Sequence, residues 1–456
     1  MSMDLKGAYV FPPSRNQAQL WLQEQTQELG SSYHITANLR LRGRVRPGAL
    51  ATAVSRLVAR HEALRTVFRE LDGALRQIVL PHLEVRLERP ADLAGLDALA
   101  ESPFDLERGP LVRAALVRLA VDDHVFGLVV HHLVADGWSV DLVLRELIGL
   151  YDALVSGKDG ELPPPSLQYA DFTLWEQETL TADVVEEEIG FWRRELADAA
   201  PVLELPLDRN RSAERDAVAA GLEISVPGEV VLALEELAGR CGATLNMVVM
   251  AAFQVLLARY SGQERFAVGT AGAGRTGTEF EDVVGFFATL LPSPVDVSGQ
   301  PTFTELVGRV RRHVLDALAH QRLPFDQLVS ALRPQRIEGA SPLFQVTFQL
   351  LHDNGGGVRE AAGVSFEPIA STTGHLMYEL SFTALRGEGL RCAFHWSKAL
   401  FDEATVHRMA QNFLVLLESA VHRPEEVVWC LPILTRAERD QLERWSGERR
   451  GSSSAD

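Results

Sequence analysis

The chain is poor in cysteine: Cys241, Cys392 and Cys430 are the only three in 456 residues, and no two form a CxxC pair. That spacing excludes a disulfide framework and a cysteine-based structural zinc site. Long apolar runs are missing as well. The longest, Met247 to Leu257, is broken by Gln254 and is too short to span a bilayer. The opening residues lack the basic start and apolar core of a secretory signal. Positive charge is in deficit, and a formal net charge of -18 repels a nucleic-acid backbone on average. Together these absences predict a cytoplasmic location, with neither nucleic acid nor membrane as a partner.

What remains is 46% hydrophobic and 23% charged residues, the balance of a globular chain. Its length exceeds one ordinary core and suits two lobes of about 200 residues each. Tyr33 to Arg42 alternates like a half-buried strand, with Ile35, Ala37, Leu39 and Leu41 on one face. Pro47-Gly48 then opens a helix whose stripe is Leu50, Val54, Leu57 and Val58. The order recurs: a strand over Leu222 to Val226, a Pro227-Gly228 turn, a helix over Val230 to Ala238, then a buried helix from Thr244 to Tyr260. This echo predicts two α/β lobes on one plan. They are placed at residues 1–180 and 181–445, with a disordered tail at 446–456. Late in the chain, Val406, Met409, Phe413, Leu416 and Leu417 form the inward stripe of another helix.

The chemistry concentrates in one segment. An apolar strand, His124 to Val130, runs into His131-His132-Leu133-Val134-Ala135-Asp136-Gly137-Trp138-Ser139, and a helix follows from Val140. Side chains alternate along a strand, so the two histidines point to opposite faces. Two adjacent histidines do not have chelating spacing. Gly137-Trp138-Ser139-Val140-Asp141 lacks the second glycine of a nucleophile elbow. Gly272 to Gly277 mimics a dinucleotide fingerprint after the strand Phe266 to Thr270, but no helix starts there and a loop is expected. His320 and Arg322 read first as a helix-capping region before Pro324. Trp138 and Trp175 suit either a core or the lining of a substrate channel.

The pattern His-His-x-x-x-Asp-Gly resembles that of the condensation domains of nonribosomal peptide synthetases, which share a fold with chloramphenicol acetyltransferase. The resemblance runs nearly the full length. Ser14 to Trp21 looks like the family's opening motif, with Gln19 where arginine is usual. Arg60-His61-Glu62-Ala63-Leu64-Arg65 and onward to Phe68 matches the second, Tyr169 to Trp175 the fourth, and His320 to Asp326 the sixth. Ser341 to Val346 completes the series. Three stretches depart from the family: Ala288-Thr289-Leu290 after Val284 to Phe287, Tyr378-Glu379-Leu380, and His395-Trp396-Ser397. They bear on the substrates more than on the reaction.

The resemblance implies two acetyltransferase-like lobes in a V-shaped pseudo-dimer, with the active site at their interface. It implies transfer of a carrier-bound acyl or aminoacyl thioester to an amine or hydroxyl, forming an amide or ester. His132 is then the residue that positions the nucleophile and accepts its proton, and the Gly137 amide an oxyanion donor. His131 is structural. Asp136 pairs with a cation drawn from Arg60, Arg65 and Arg275. Trp138, Ser139, Trp175, Thr289, Tyr378 and Trp396 line the substrate tunnel. The phosphopantetheine arm belongs to the partner carrier protein, so no bound cofactor or metal is expected. The acceptor is a small molecule or is itself carrier-bound. Two readings on the same fold compete: a non-catalytic docking domain, which usually loses the second histidine, and an epimerisation domain, whose Glu-Gly-His-Gly-Arg type of segment is missing here. No carrier or adenylation domain is recognisable, and the substituted positions favour a free-standing enzyme over an excised piece of a megasynthetase. The Ser14 segment, Gly109-Pro110-Leu111 and Ser261-Gly262-Gln263 look like domains that accept an L-configured donor.

Overall fold

The computed structural model describes residues 7–26, 30–158, 162–212, 219–352, 357–369 and 377–452. The first half comprises β1 (Tyr9–Phe11), α1 (Arg15–Thr26), β2 (His34–Gly43), α2 (Pro47–Arg60), β3 (Thr66–Leu71), β4 (Ala74–Val79), β5 (Leu87–Glu88) and α3 (Leu93–Glu101). It continues with β6 (Val112–Ala120), β7 (Asp123–His131), α4 (Gly137–Val155), α5 (Tyr169–Thr179) and α6 (Ala182–Glu195). The second half holds β8 (Ala219–Val226), α7 (Gly228–Arg240), α8 (Leu245–Ser261), β9 (Arg265–Gly272), β10 (Thr289–Asp296), α9 (Phe303–Ala319) and α10 (Phe325–Leu332). The remaining elements are β11 (Val346–His352), β12 (Arg359–Ala361), β13 (Val364–Ile369), β14 (Leu380–Arg386), β15 (Leu390–Ser397), α11 (Glu403–His422) and α12 (Arg436–Ser452).

These strands build two six-stranded mixed sheets, β12-β13-β2-β7-β6-β5 and β10-β9-β11-β14-β15-β8, beside a small β1-β4-β3 sheet. The fold is mixed α/β, as the alternation of strand and helix patterns predicts. In the first sheet, Leu39 and Leu41 of β2 and Leu128 and Val130 of β7 pack with the α2 stripe Leu50, Val54, Leu57 and Val58 and with α4. In the second, α8 lies almost wholly buried between the sheet and α11, which turns in Val406, Met409, Phe413, Leu416 and Leu417. β10 carries Pro292 and Pro294 in register with Gly269 and Ala267 of β9. Proline cannot donate to a ladder, and β10 is an edge strand, so both fall where no second neighbour needs their N–H.

The sheets do not divide the chain at a single point. β12 and β13 follow the first strands of the second sheet, yet β13 pairs with β2, Val364 opposite Gly43 and Ile369 opposite Asn38. Phe280, Val283, Val284 and Phe287 of the loop before β10 likewise belong to the core of the first sheet. A cut at residue 180 therefore leaves two later segments with the earlier half. The stretch expected as a disordered tail is entered by α12, which runs to Ser452; its last four residues, 453–456, lie outside the described residues. No single helix among the described residues is long and apolar enough to cross a membrane.

Candidate active site

Asp136 ends the turn after β7 and is the N-cap of α4, its Oδ1 accepting from the Ser139 N–H at 2.8 Å. An Asp at this position satisfies one of the orphan donors of a helix start, which is why the chain turns helical at Gly137. The same carboxylate takes Arg275 Nη1 at 3.0 Å and Nη2 at 3.3 Å, and the N–H groups of Phe287 and Ala288 at 3.1 and 3.0 Å. Of the three candidate cations, Arg275 is the partner. Arg60 is instead bound to Glu146 at 3.0 Å and Arg65 to Glu62 at 3.2 Å, so nearer carboxylates hold both away from Asp136.

The loop between β9 and β10 is thereby pinned under the His-His turn. Ser139 Oγ donates to the Gly285 carbonyl at 2.8 Å and accepts from the Gly285 N–H at 3.1 Å and from Arg275 at 3.0 Å. The Tyr169 hydroxyl donates to the Phe286 carbonyl at 2.6 Å and lies 3.0 Å from Ser14 Oγ. Burial keeps that phenol protonated, holding its pKa well above the ordinary value. Gln17 reaches the Leu133 carbonyl at 2.9 Å, and Asn16 the Ala288 carbonyl at 3.2 Å. A side chain at Gly285 would place Cβ 1.9 Å from the Tyr169 ring, and one at Gly274, whose φ is +65°, would meet the Phe287 carbonyl at 1.8 Å. Both glycines are required by close approach of the loop. The expected loop over Gly272 to Gly277 is thus a structural clamp, not a nucleotide cradle.

The two histidines diverge as strand geometry demands. His131 is buried, packs edge-on against His34 and Phe104, and accepts from the Leu133 N–H at its Nδ1, 3.2 Å away. Its Nε2 faces Glu24 at 3.5 Å. His132 lies on the loop side, its ring 4.7 Å from that of Phe286 and 6.5 Å from that of Tyr33. Its backbone N–H donates to the Tyr33 carbonyl at 2.8 Å. Its Nδ1 is sealed from solvent with no partner among the described residues. Burial lowers the His132 pKa to about 4, partly opposed by the Asp136 carboxylate. The imidazole is neutral at neutral pH and able to take up a proton.

Gly137, the first residue of α4, is exposed, and an added Cβ would meet nothing within 4 Å. No close turn requires the glycine. The Gly137 N–H, in the first turn of α4, has no acceptor among the described residues.

The expected tunnel residues scatter. Trp175 and Thr289 line one cleft together with Phe172, Glu176, Gln321 and Arg322. Trp175 stacks on Phe172 with 6.0 Å between ring centroids. His132 is not among that lining, although Phe287, next to the Phe286 that covers it, is. Trp138 is exposed and donates from its indole to the Glu281 carbonyl at 2.9 Å, an outer latch on the loop. Ser139 is fully buried in the Asp136 hub and lines nothing. Tyr378 packs on Phe344, 5.3 Å between centroids. Trp396 is 2% exposed inside the second sheet's core, opposite Leu380 on β14, and is removed from the tunnel set. Its neighbour on β14's flank, Glu379, is buried in an ion pair with Arg211 at 2.7 Å.

Sequence reasoning missed Tyr33, Gln17 and Tyr169 as site residues. Ser14, Gln17 and Tyr169 lay inside recognised motifs; Tyr33, at the start of β2, carried no signal of its own.

With this geometry in view, residues 9–443 match the Condensation domain family. The chain belongs to the condensation-domain family. It is 40% identical over 451 residues to a linear gramicidin synthase of Brevibacillus parabrevis, covering 94% of this chain and 9% of the relative. It is 35% identical to phosphinothricin tripeptide synthetase PhsC of Streptomyces viridochromogenes, covering 94% of this chain and 40% of that one. This condensation domain therefore spans less than half of either relative. Among solved structures it superposes on the X-domain of teicoplanin biosynthesis, solved in complex with OxyB, with a TM-score of 0.82 at 28% identity, covering 95% of this chain and 97% of the other. It also superposes on SgcC5 of Streptomyces globisporus, with a TM-score of 0.77 at 28% identity, covering 91% and 100%.

Proposed function

We propose that this condensation domain transfers the acyl or aminoacyl group of a carrier-bound thioester to an amine or hydroxyl acceptor, in nonribosomal peptide or hybrid natural-product assembly. The observation that carries the reading is His132, a neutral imidazole with its Nδ1 buried and unpartnered, set at the end of β7 beside an open helix start. Nε2 is then the nitrogen that meets the acceptor, orienting it and taking its proton as the thioester carbonyl is attacked. The Gly137 N–H, at the positive end of α4, supplies a donor for the developing oxyanion. The sulfur leaves on the carrier's phosphopantetheine arm, so the chemistry needs nothing bound to this chain beyond its two substrates.

Asp136, Arg275 and Ser139 touch no substrate in this account. They hold the loop carrying Phe286 against His132, and such preorganised geometry lowers the barrier for two tethered reactants. Of the three substituted stretches, Ala288-Thr289-Leu290 reaches a cleft wall, through Thr289, and a change there fits an acceptor other than the usual carrier-bound amine. A small-molecule acceptor, giving either amide or ester, suits that change.

A docking role has one observation in its favour, the superposition on an X-domain solved with a partner enzyme. The retained His132 weighs against docking alone. The deciding experiment is mass-spectrometric product analysis with acyl-loaded carrier protein and mixed amine and alcohol acceptors. Acceptor-dependent product from wild type and its loss in folded His132→Ala support acyl transfer; carrier binding with no product from any acceptor favours docking.

A further inference from the structure

The end of β7 opposite His132 borders a second cavity. At about 3.4 Å per residue, His124 lies about 27 Å from His132 along the strand. There a cleft of about 670 Å³ is lined by Arg44, Arg89, Arg118, Asp122 and His124, with an apolar wall that includes Leu116 and Val121. That volume is typical of small-molecule sites. Three exposed arginines and one aspartate line it, in a chain whose formal net charge is -18.

None of these three arginines is in an ion pair among the described residues. Arg40 and Arg42 of β2, just before Arg44, are by contrast paired with Asp123 at 2.6 Å and Glu367 at 3.0 Å. Arg118 spends only its Nε, on the Ala120 carbonyl at 3.2 Å, which leaves both terminal nitrogens free. His124 sits opposite Arg118 in the β6–β7 register, is 7% exposed, and has an Nδ1 sealed without a partner. α2 begins at Pro47 in the same wall, with no side-chain cap at Arg46 and no acidic residue in its first turn. Its positive end is therefore unscreened toward the cleft.

We infer that this cleft binds a phosphorylated small molecule, its phosphoryl oxygens held by Arg44, Arg89 and Arg118 and its uncharged part laid on the apolar wall. Guanidinium forks match phosphoryl oxygens two at a time. The excess of two positive charges suits a diphosphate better than a monoanion. The distance from His132 makes this a site separate from acyl transfer, so it neither supports nor depends on the function proposed above. Burial and the Arg118 charge lower the His124 pKa, opposed by Asp123 and Asp122, and a bound anion would add to that opposition.

The test is isothermal titration calorimetry of the full chain with inorganic pyrophosphate at low ionic strength, followed by proton NMR of the His124 ring. One saturable site is expected, weakened at least tenfold by Arg44→Ala/Arg118→Ala and by Arg89→Glu. The His124 resonance should shift and titrate at higher pH on binding, while acyl transfer by the variants is unchanged. Absence of binding, equal binding by the variants, or equal competition by sulfate overturns the inference. So does tighter binding of a poly-glutamate peptide at the same residues, which would make the cleft a docking face for an acidic protein.

Discussion

Asp136 and Arg275 are 139 residues apart and 3.0 Å from each other, with side chains 2% and 3% exposed. The pair joins the turn after β7 to the loop before β10, so the two halves of the chain meet at Asp136, four residues after His132. Three further donors reach the same carboxylate, from Ser139, Phe287 and Ala288.

Removing either partner strands a buried charge. Arg275→Ala and Asp136→Ala are each expected to cost about 3–5 kcal/mol. The double variant should cost much less than the sum, because the stranded charge vanishes with its partner. Denaturant unfolding of the two single variants and the double variant measures this; additive costs would show that the pair is not the joint between the halves.

The Tyr169 hydroxyl is the second fastener of that loop. In Tyr169→Phe the Phe286 carbonyl loses a buried donor, at about 1–3 kcal/mol. Because the Phe286 ring backs His132, kcat should fall several-fold with the KM for the loaded carrier unchanged. A variant with wild-type melting temperature and kcat would show that the hydroxyl holds nothing.

The pH response follows from burial of His132. An exposed imidazole takes up its proton near about 6.5, and this one only near about 4. As pH falls from about 6.5 to 4 the unfolded chain is protonated first, so this group lowers folding stability across that window and adds no further loss below it. Acyl transfer limited by neutral His132 should stay flat from pH 7 to about 5 and decline toward 4. Proton NMR of the His132 ring checks it, and a midpoint near 6.5 would contradict the burial argument.

Much of the site was legible because its signals are local. An apolar strand, an adjacent histidine pair and an Asp-Gly helix start specify β7, the turn and α4 within a dozen residues, and the opposite facing of His131 and His132 follows from strand pleat alone. The cation for Asp136 was not legible. Arg60, Arg65 and Arg275 were equal candidates until the fold showed Glu146 and Glu62 beside the first two. Trp396 is a different lesson. Leu390, Cys392, Phe394 and Trp396 alternate along β15 as a buried face does, and that local pattern should have outweighed the family position suggesting a tunnel wall. The β13–β2 pairing joins residues more than 300 apart in the chain, which no periodicity reports.

Two tryptophans, one in the core and one on a cleft wall, are separable by experiment. Trp396→Ala should cost about 3–5 kcal/mol through its core cavity and leave the choice of acceptor unchanged. Trp175→Ala, on an exposed cleft wall, should cost under about 1 kcal/mol and shift acceptor KM or preference. Thermal melts with competition between paired acceptors read both effects; altered selectivity in Trp396→Ala would return that residue to the substrate path.

The central claim is that His132 acts on the acceptor during acyl transfer. Single-turnover transfer from a loaded carrier, by wild type and by His132→Ala of equal melting temperature, tests it most directly. The expected result is a loss of about 100-fold or more in the transfer rate, steeper for a hydroxyl acceptor than for an amine, with carrier affinity unchanged. Transfer at the wild-type rate in the variant would contradict it.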